Sequence, residues 1–253
     1  MTRVALPFIY IIFLLTTLLQ FSTVFIASPL TEIAQDDSFL SQQLKFERVR
    51  DAEKEKGQLL ADLLQKNRLR KDSIEIMMVH IKEEEILEVY AKPPAVPQYQ
   101  ILKTYKVCAR SGELGPKNQE GDEQVPEGRY HIAHFNPKSN FHLSLGLNYP
   151  NKEDRKRSKA QKLGGDIYIH GDCVTIGCLP MTDDLIKEIY LLAVYAKSSG
   201  QKEIPVYLFP FRMTTEKMQR VEQEYAQKSD LLVFWRALQH RYNEAVSLVE
   251  KSK

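Results

Sequence analysis

The sequence predicts a mainly β domain, α+β overall, with helices before and after it. Seven short runs rich in β-branched and aromatic residues follow Asp72, and helical spacing flanks them on both sides. With 253 residues, 43% hydrophobic and 27% charged, the composition is that of an ordinary globular protein. Disordered, collagen-like and disulfide-dense classes are therefore excluded, and a net charge of +2 is too small to indicate a nucleic-acid partner.

The N-terminus predicts export. Arg3 precedes an apolar stretch from Val4 to Leu19, which resumes from Phe21 to Ala27. Residues 1–28 are therefore either a cleaved signal peptide or a retained signal anchor, with a buried core helix as a third alternative. Because the lone basic residue precedes the run and acidic residues follow it, the body of the protein is expected outside the cytoplasm, in the periplasm or cell envelope.

Residues 29–72 predict a helical stalk. From Asp37 to about Arg70 the chain is rich in Leu, Lys, Glu, Gln and Arg, with leucines at loosely helical spacing. Such a segment is expected to be solvated or to pack on the main domain rather than to bind a partner.

Strand-like runs fill residues 73–212, the predicted main domain. Thr182, followed by two aspartates, predicts the N-terminal cap of one internal helix that ends near Gly200. Residues 213–253 predict a C-terminal helical extension whose apolar and aromatic residues pack against the sheet. The predicted strands are Ile74–Val79, Glu85–Ala91, Tyr99–Val107, Arg129–His134, Phe141–Leu147, Asp166–His170 and Ile204–Phe209.

The segment Lys152–Lys162 predicts a basic loop. Its six Lys and Arg residues are opposed only by Glu153 and Asp154. A solvated loop is the simpler interpretation, and an arm that attracts an anionic polymer or closes over an active site is the alternative.

Residues suited to catalysis are concentrated between Gly164 and Thr182. A strand delivers His170, a tight turn at Gly171 follows, and Cys178 comes directly after Gly177. A thiol is a weak nucleophile at its free pKa, and a nearby imidazole that takes its proton is the usual activator. Glycines around a cysteine expose it and leave backbone N–H groups free to bind an oxyanion. The spacing thus predicts a cysteine nucleophile with His170 as its base.

Two other roles for the same residues stay open. His170, Cys173 and Cys178, with His142 as a fourth ligand, would make a tetrahedral zinc site, although the spacing matches no standard zinc ribbon. Alternatively the side chains are structural, with Cys173 bonded to Cys108. The nucleophile interpretation requires neither a metal nor a cofactor.

The segment resembles the L,D-transpeptidase catalytic domain (YkuD-like) family, and within it the murein L,D-transpeptidase YafK-like group. That family's signature ends in Ser or Thr, His, Gly, Cys after a separate His, and Thr175–Cys178 with His170 fill these positions. Ile176 replaces the tetrad His, and Val125 stands where Thr often precedes Pro-Glu-Gly. The resemblance runs from about Ser73 to Arg212. Further blocks agree in order: Ser111, Gly112, Leu114–Lys117; Gly121, Asp122, Pro126–Gly128, Tyr130; Ser139, Phe141, Leu143–Leu145; Tyr149–Asn151, Asp154.

The resemblance implies a compact β-sandwich-like catalytic domain with flanking helices and an enzyme that acts on peptidoglycan stem peptides. Cys178 would attack the carbonyl after the L-centre of a diamino acid, and His170 would pass the thiol proton to the leaving D-amino acid. The resulting thioester would be resolved by water or by an amine from a second stem peptide or a wall-linked protein. The inner membrane becomes a partner if the N-terminal anchor is retained.

The resemblance also suggests supporting residues. The Gly177 and Cys178 N–H groups are the expected oxyanion donors. Thr175 either orients the site through its hydroxyl or simply fills a strand. Tyr130, Ser144 and Gly171 are predicted substrate-binding residues, and His142 is expected to be a structural sheet histidine.

Three alternatives to a transpeptidase in cell-wall cross-linking or remodelling remain. The first is a hydrolase on the same scaffold that cleaves a peptidoglycan link. The second is a catalytically silent wall-binding module, which the intact His170 and Cys178 pair disfavours. The third is a zinc-dependent peptidase.

Overall fold

Eight strands form one curled mixed sheet in this computed structural model, which describes residues 1–2 and 38–249. The strands are β1 (Glu75–Ile81), β2 (Ile86–Lys92), β3 (Gln100–Lys106), β4 (Gly128–Asn136), β5 (Ser144–Leu147), β6 (Tyr168–His170), β7 (Leu179–Pro180) and β8 (Pro205–Phe209). Their order across the sheet is β3-β2-β1-β8-β4-β5-β6-β7. All seven runs predicted from the sequence contain a strand, and β7 is additional.

The last strand in sequence lies near the middle of the sheet. β8 pairs in parallel with β1, with Met78 opposite Val206, and antiparallel with β4, with Tyr130 opposite Val206. The β6–β7 pair is also parallel, and the remaining pairs are antiparallel. β8 therefore joins a half made of β1–β3 to a half made of β4–β7.

Helix α4 (Asp183–Ser198) is the core helix of the domain. The Thr182 hydroxyl accepts a hydrogen bond from the Leu185 N–H, as the predicted cap requires. From Ile186 to Ala196 nearly every residue is buried, because the sheet covers one side of α4 and two N-terminal helices cover another.

The described part of the predicted stalk packs on the domain. It contains helices α1 (Phe39–Gln43) and α2 (Glu47–Lys66), and both contact α4. Val49, Ala52, Leu60 and Leu64 of α2 are buried in the main core. Residues 29–37 lie outside the described residues.

Two helices follow the sheet and cover its other face. α5 (Thr215–Glu224) and α6 (Ser229–Ser247) bury Met218, Val221 and Trp235 in a second apolar cluster with Phe209 of β8. The predicted packing of the C-terminal aromatic residues against the sheet is confirmed. The expected α+β fold, with a strand-rich domain between flanking helices, is also confirmed.

The basic segment is partly helical rather than a loop. Asn151 caps α3 (Lys152–Arg157) by accepting from the Asp154 N–H, and the Asp154 carboxylate accepts from the Asn151 N–H. Arg157 packs over the Phe234 ring and donates to the Lys117 carbonyl. The prediction missed this helix because the capping pair lies inside a segment dominated by charge.

None of the helices within residues 38–249 is long and apolar enough to cross a membrane. The segment predicted to be a signal or anchor, residues 1–28, lies outside the described residues except for Met1 and Thr2.

Candidate active site

The candidate nucleophile and base lie at one edge of the sheet. β6 ends at His170, and Cys178 directly precedes β7, its parallel neighbour. His170 is paired with Pro180, two residues beyond Cys178. Side chains two residues apart on a strand share a face, so Cys178 lies on the same face as Pro180 if the strand geometry continues one residue before β7. Because Pro180 is paired with His170, His170 and Cys178 then share that face. Their Cα atoms would then be about 8 Å apart, given strand spacings of roughly 4.8 Å across and 3.3 Å per residue.

His170 is held by its neighbour in sequence. The imidazole is 2% exposed and packs against the Phe141 ring, with 4.8 Å between centroids. Its Nδ1 is hydrogen-bonded to the Gly171 carbonyl. Because a carbonyl oxygen only accepts, Nδ1 carries the proton, and Nε2 of the neutral ring is left as an acceptor.

Burial lowers the pKa of His170 below its usual value, and the Gly171 carbonyl and Asp172 oppose this only in part. The ring is therefore neutral near pH 7 and able to receive a proton. Gly171, predicted to bind substrate, orients the base through its carbonyl in this structure. A Cβ at Gly171 would lie 2.8 Å from the backbone carbonyl oxygen of Phe141, so a larger residue would force the backbone to shift.

Cys178 is the free thiol in residues 38–249, and it is partly buried. Its Sγ accepts from the Tyr168 N–H at 3.5 Å and donates to the Asp166 carbonyl at 3.4 Å. Burial raises the pKa of the thiol, while the Tyr168 N–H acts in the opposite direction. In the described part of the chain no hydrogen bond joins Sγ to His170, so the resting thiol is protonated and attack requires that it turn toward a base.

Thr175 organises the turn before the nucleophile. Its Oγ1 accepts from the Cys178 N–H at 2.8 Å and the Gly177 N–H at 3.1 Å, and donates to the Cys178 carbonyl at 2.9 Å. These two N–H groups are the predicted oxyanion donors, so an oxyanion would compete with Thr175 for them. Gly177 has φ +133° and lies against Gln124, whose carbonyl oxygen would be 3.1 Å from an added Cβ.

The two predicted substrate-binding side chains differ in position. Ser144 is paired with His170 across β5 and β6, and both are 2% exposed. Tyr130 lies on β4, donates to Asp154 Oδ1 at 2.9 Å, and is also 2% exposed. Burial raises the pKa of Tyr130 well above its usual value. The structure thus brings Ser144 to the base but places Tyr130 beside Asp154 and α3, in a cavity that Cys178 does not line.

The zinc alternative loses a ligand. Cys173 is bonded to Cys108, with 5.6 Å between their Cα atoms, so it offers no thiolate to a metal. Within residues 38–249, no three His, Cys, Asp or Glu side chains are grouped as a metal site. His142 has φ +65°, lies outside the strands, and its buried Nε2 has no hydrogen-bond partner among the described residues. It is therefore not the sheet histidine that was expected.

A small cavity of about 50 Å³ opens beside Cys178, and the sequence prediction did not include its wall. The wall comes from the end of β1 and from the loop that follows Cys108, segments far from Cys178 in sequence. In the sequence, these segments were indicated only by the residues around Ser111 and Glu127 that agree with the family. Residues that line the cavity include His80, Lys82, Arg110, Ser111, Leu114 and Cys178.

The loop between β6 and β7 presents apolar side chains to solvent. Ile176, which fills the tetrad position next to Gly177, is 78% exposed, and Val174 is 51% exposed. The same loop also exposes Asp172, so its surface is mixed rather than purely apolar.

Residues 75–206 match the family model described as "L,D-transpeptidase catalytic domain" (YkuD), which is about half of the chain. Over 164 residues the chain is 38% identical to a protein of Escherichia coli (strain K12) named "Putative L,D-transpeptidase YafK". The alignment covers 64% of this chain and 63% of that protein. The chain thus spans less than two thirds of the relative's length.

Solved structures with partial likeness include the helical cell shape determining protein Pgp2 of Campylobacter jejuni. It is 23% identical with a TM-score of 0.41, over 54% of this chain and 48% of Pgp2. Bd1075 of Bdellovibrio bacteriovorus is 24% identical with a TM-score of 0.39, over 62% of this chain and 56% of Bd1075. With TM-scores this low the superpositions are partial, and the assignment to a family rests on the sequence match.

Proposed function

Because the chain belongs to the L,D-transpeptidase catalytic domain family, we propose that it is a cysteine-dependent acyltransferase that acts on peptidoglycan stem peptides. The resemblance identified in the sequence is confirmed by the family match. The observation that carries the proposal is that Cys178, one residue before β7, lies beside β6, the strand that ends at His170. The ring of His170 is fixed by the Gly171 carbonyl.

The fixed tautomer supports a role for His170 as general base. With Nδ1 committed to Gly171, Nε2 is the ring nitrogen that can take a proton. Cys178 needs such a base because burial keeps its thiol protonated at neutral pH. A nucleophile, a base and a group that orients the base form the arrangement used in covalent catalysis on several folds.

The proposed reaction has two transfers. His170 takes the Cys178 proton, the thiolate attacks the peptide carbonyl, and the C–N bond to the D-amino acid breaks as that nitrogen receives the proton. This leaves a thioester on Cys178. An amine then gives its proton to His170 and attacks the thioester, which forms a new amide and returns the proton to Sγ. If water replaces the amine, the product is a free carboxylate and the enzyme is a hydrolase.

Export to the periplasm or cell envelope is part of the proposal. The substrate class lies there, and the apolar N-terminal stretch supplies a route. The Cys108–Cys173 bond supports it, since disulfides persist in oxidising compartments and are rare in the cytosol.

Intact mass spectrometry of the full chain with defined tetrapeptide muropeptides, and separately with a carbapenem, tests the proposal. We expect an acyl adduct on the wild type, no adduct on Cys178→Ala, and a strongly slowed adduct on His170→Gln. His134→Gln, which changes an exposed histidine of β4, is the matched control and should react like the wild type.

The products separate the candidates. A cross-linked dimer indicates transfer to an amine, and a shortened stem indicates transfer to water. If muropeptides bind without forming any adduct or product, and binding is unchanged in Cys178→Ala, the protein is a wall-binding module rather than an enzyme.

A further inference from the structure

A buried chain of hydrogen bonds links α6 to the wall of the Cys178 cavity. Trp235, which is 0% exposed, donates its indole N–H to Glu127 Oε2 at 2.8 Å. Glu127, 1% exposed, accepts at Oε1 from Lys82 Nζ at 3.0 Å and from the Gly115 N–H at 2.7 Å. Both oxygens of this buried carboxylate are therefore used, as burial of a charge requires.

Lys82 extends the chain into the loop that follows β3. Besides Glu127, its Nζ donates to the carbonyls of Glu113 at 2.9 Å, Gly115 at 2.9 Å and Val125 at 3.1 Å. One buried ammonium thus ties the two ends of residues 113–125 together. Removing a partner from a buried cation is strongly destabilising, so a shift of the loop that broke these hydrogen bonds to Lys82 would lower the stability of the fold.

This loop lies beside the turn that carries the candidate nucleophile at two places. Residues 110–114 line the cavity with Cys178, and the Gln124 carbonyl lies against Gly177. Its position therefore sets both the shape of the cavity and the space around the turn that carries the thiol.

Ser111 is the unexplained group on this wall. Its Oγ is shielded from solvent and has no hydrogen-bond partner in residues 38–249. A buried polar atom without a partner is rare and costly, so it calls for a specific reason. The Ser111 hydroxyl both donates and accepts, and a carbonyl or amide of a peptide bound beside Cys178 would satisfy it.

We propose that Trp235, Glu127 and Lys82 position the loop so that Ser111 contacts the stem peptide next to Cys178. The inference rests on the proposed function. Trp235 lies outside residues 75–206, the family segment, so the C-terminal extension takes part in substrate binding through this chain of contacts. Trp235 acts here as a positioning residue and Ser111 as the contacting one.

Steady-state kinetics of the full chain with a tetrapeptide stem donor test this. Ser111→Ala and Trp235→Phe should each raise KM about threefold to tenfold, the range for one lost hydrogen bond, with kcat within about twofold. The double variant should raise KM no further than the larger single change, because Trp235 acts through Ser111. Leu238→Val, a smaller change in the same helix and apolar cluster at a side chain that cannot hydrogen-bond to Glu127, is the control and should leave KM unchanged.

Additive effects on KM, or a Trp235→Phe variant that behaves like Leu238→Val, would overturn the positioning role. If Trp235→Phe does not fold, Ser111→Ala decides alone: unchanged KM with unchanged Tm refutes the contact. Hydrogen exchange of residues 109–115 gives a reading independent of turnover. Faster exchange in Trp235→Phe than in Leu238→Val supports the positioning role, and equal exchange refutes it. This result can be read even if the wild type shows no turnover, an outcome that would refute the proposed function instead.

Discussion

The two halves of the sheet are built differently. On one side of β8, the strands β1, β2 and β3 have seven residues each, and β1 is buried along nearly its whole length. On the other side, the strands shorten from nine residues in β4 to four, three and two in β5, β6 and β7. The candidate nucleophile lies at this short end, where side-chain contacts and one disulfide replace long ladders.

The difference separates stability from chemistry. Long ladders and the buried helix α4 supply apolar burial, whose loss is costly wherever it occurs. The short end also places Leu145, Ile169 and Leu179 in the main core. The groups around Cys178 are held in addition by Thr175, the Gly171 carbonyl and the Cys108–Cys173 bond, contacts that fix geometry. Substitutions of buried apolar residues should therefore change stability, and substitutions of the groups that hold Cys178 and His170 should change activity.

The largest effect is expected at the short end. Cys178→Ala should lower turnover by about 10⁴-fold or more, because no other thiol can form the thioester, while Tm stays close to that of the wild type. Turnover of muropeptides and thermal unfolding measure the two quantities. Val174→Ala, an exposed change in the same loop, should leave both unchanged. Turnover that survives Cys178→Ala would show that Cys178 is not the nucleophile.

The complementary change is in the core helix. Leu192 of α4 is 0% exposed, and Leu192→Ala should lower the free energy of unfolding by about 2–5 kcal/mol while activity per folded molecule is retained. Leu59→Ala, at a half-exposed position of α2, is the matched control and should change it by less than about 1 kcal/mol. Urea unfolding measures both, and similar losses in the two variants would contradict the comparison.

Acid should weaken the long-stranded half through His80 on β1. Burial lowers the pKa of His80 to about 4, from 6.5 in the unfolded chain. Between these values the unfolded chain binds more protons, so stability is full above pH 6.5 and falls as the pH drops toward 4. His80→Gln should remove up to about 3 kcal/mol of this pH dependence. Urea unfolding at pH 7 and pH 4.5 measures how much the free energy of unfolding falls in the wild type and in His80→Gln. Equal losses in the two proteins would show that His80 is not the group responsible.

The smallest effect is expected at Thr175. Thr175→Val removes the hydroxyl that binds the Gly177 and Cys178 N–H groups, and kcat/KM should fall about tenfold with little change in Tm. Thr175→Ser keeps the hydroxyl and should restore most of the activity. A valine variant with full activity would show that the predicted oxyanion donors function without Thr175.

Much of the fold was predictable because strand alternation and capping are local signals. The N-cap at Thr182 and the seven strand regions follow from neighbours in sequence. Where local signals conflict, the prediction was wrong. Phe141–Leu143 has strand-forming residues but turns at His142 with φ +65°, so the strand begins only at Ser144. β7 was missed because a two-residue strand that contains Pro180 gives no periodic pattern.

The candidate site divides in the same way. His170, Gly177 and Cys178 are close in sequence, and the structure places them on adjoining segments. Ser111, Glu127 and Trp235 reach the site only through contacts across more than fifty residues, which no spacing rule indicates. The role of the Gly171 carbonyl was equally hidden, since a backbone oxygen leaves no trace in residue type.

The central place of β8 has a consequence for the order of events as the chain is made. β1 and β4 share no ladder in residues 38–249, and each pairs with β8 instead. A nascent chain that ends before Pro205 therefore holds two separate sheet fragments with exposed edges, which are prone to pair with other chains. Folding can be completed only when residues 205–209 emerge, and until then the thiol of Cys178 stays on an unfinished fragment. Completion of the sheet that carries Cys178 thus depends on a strand that comes after it in the chain.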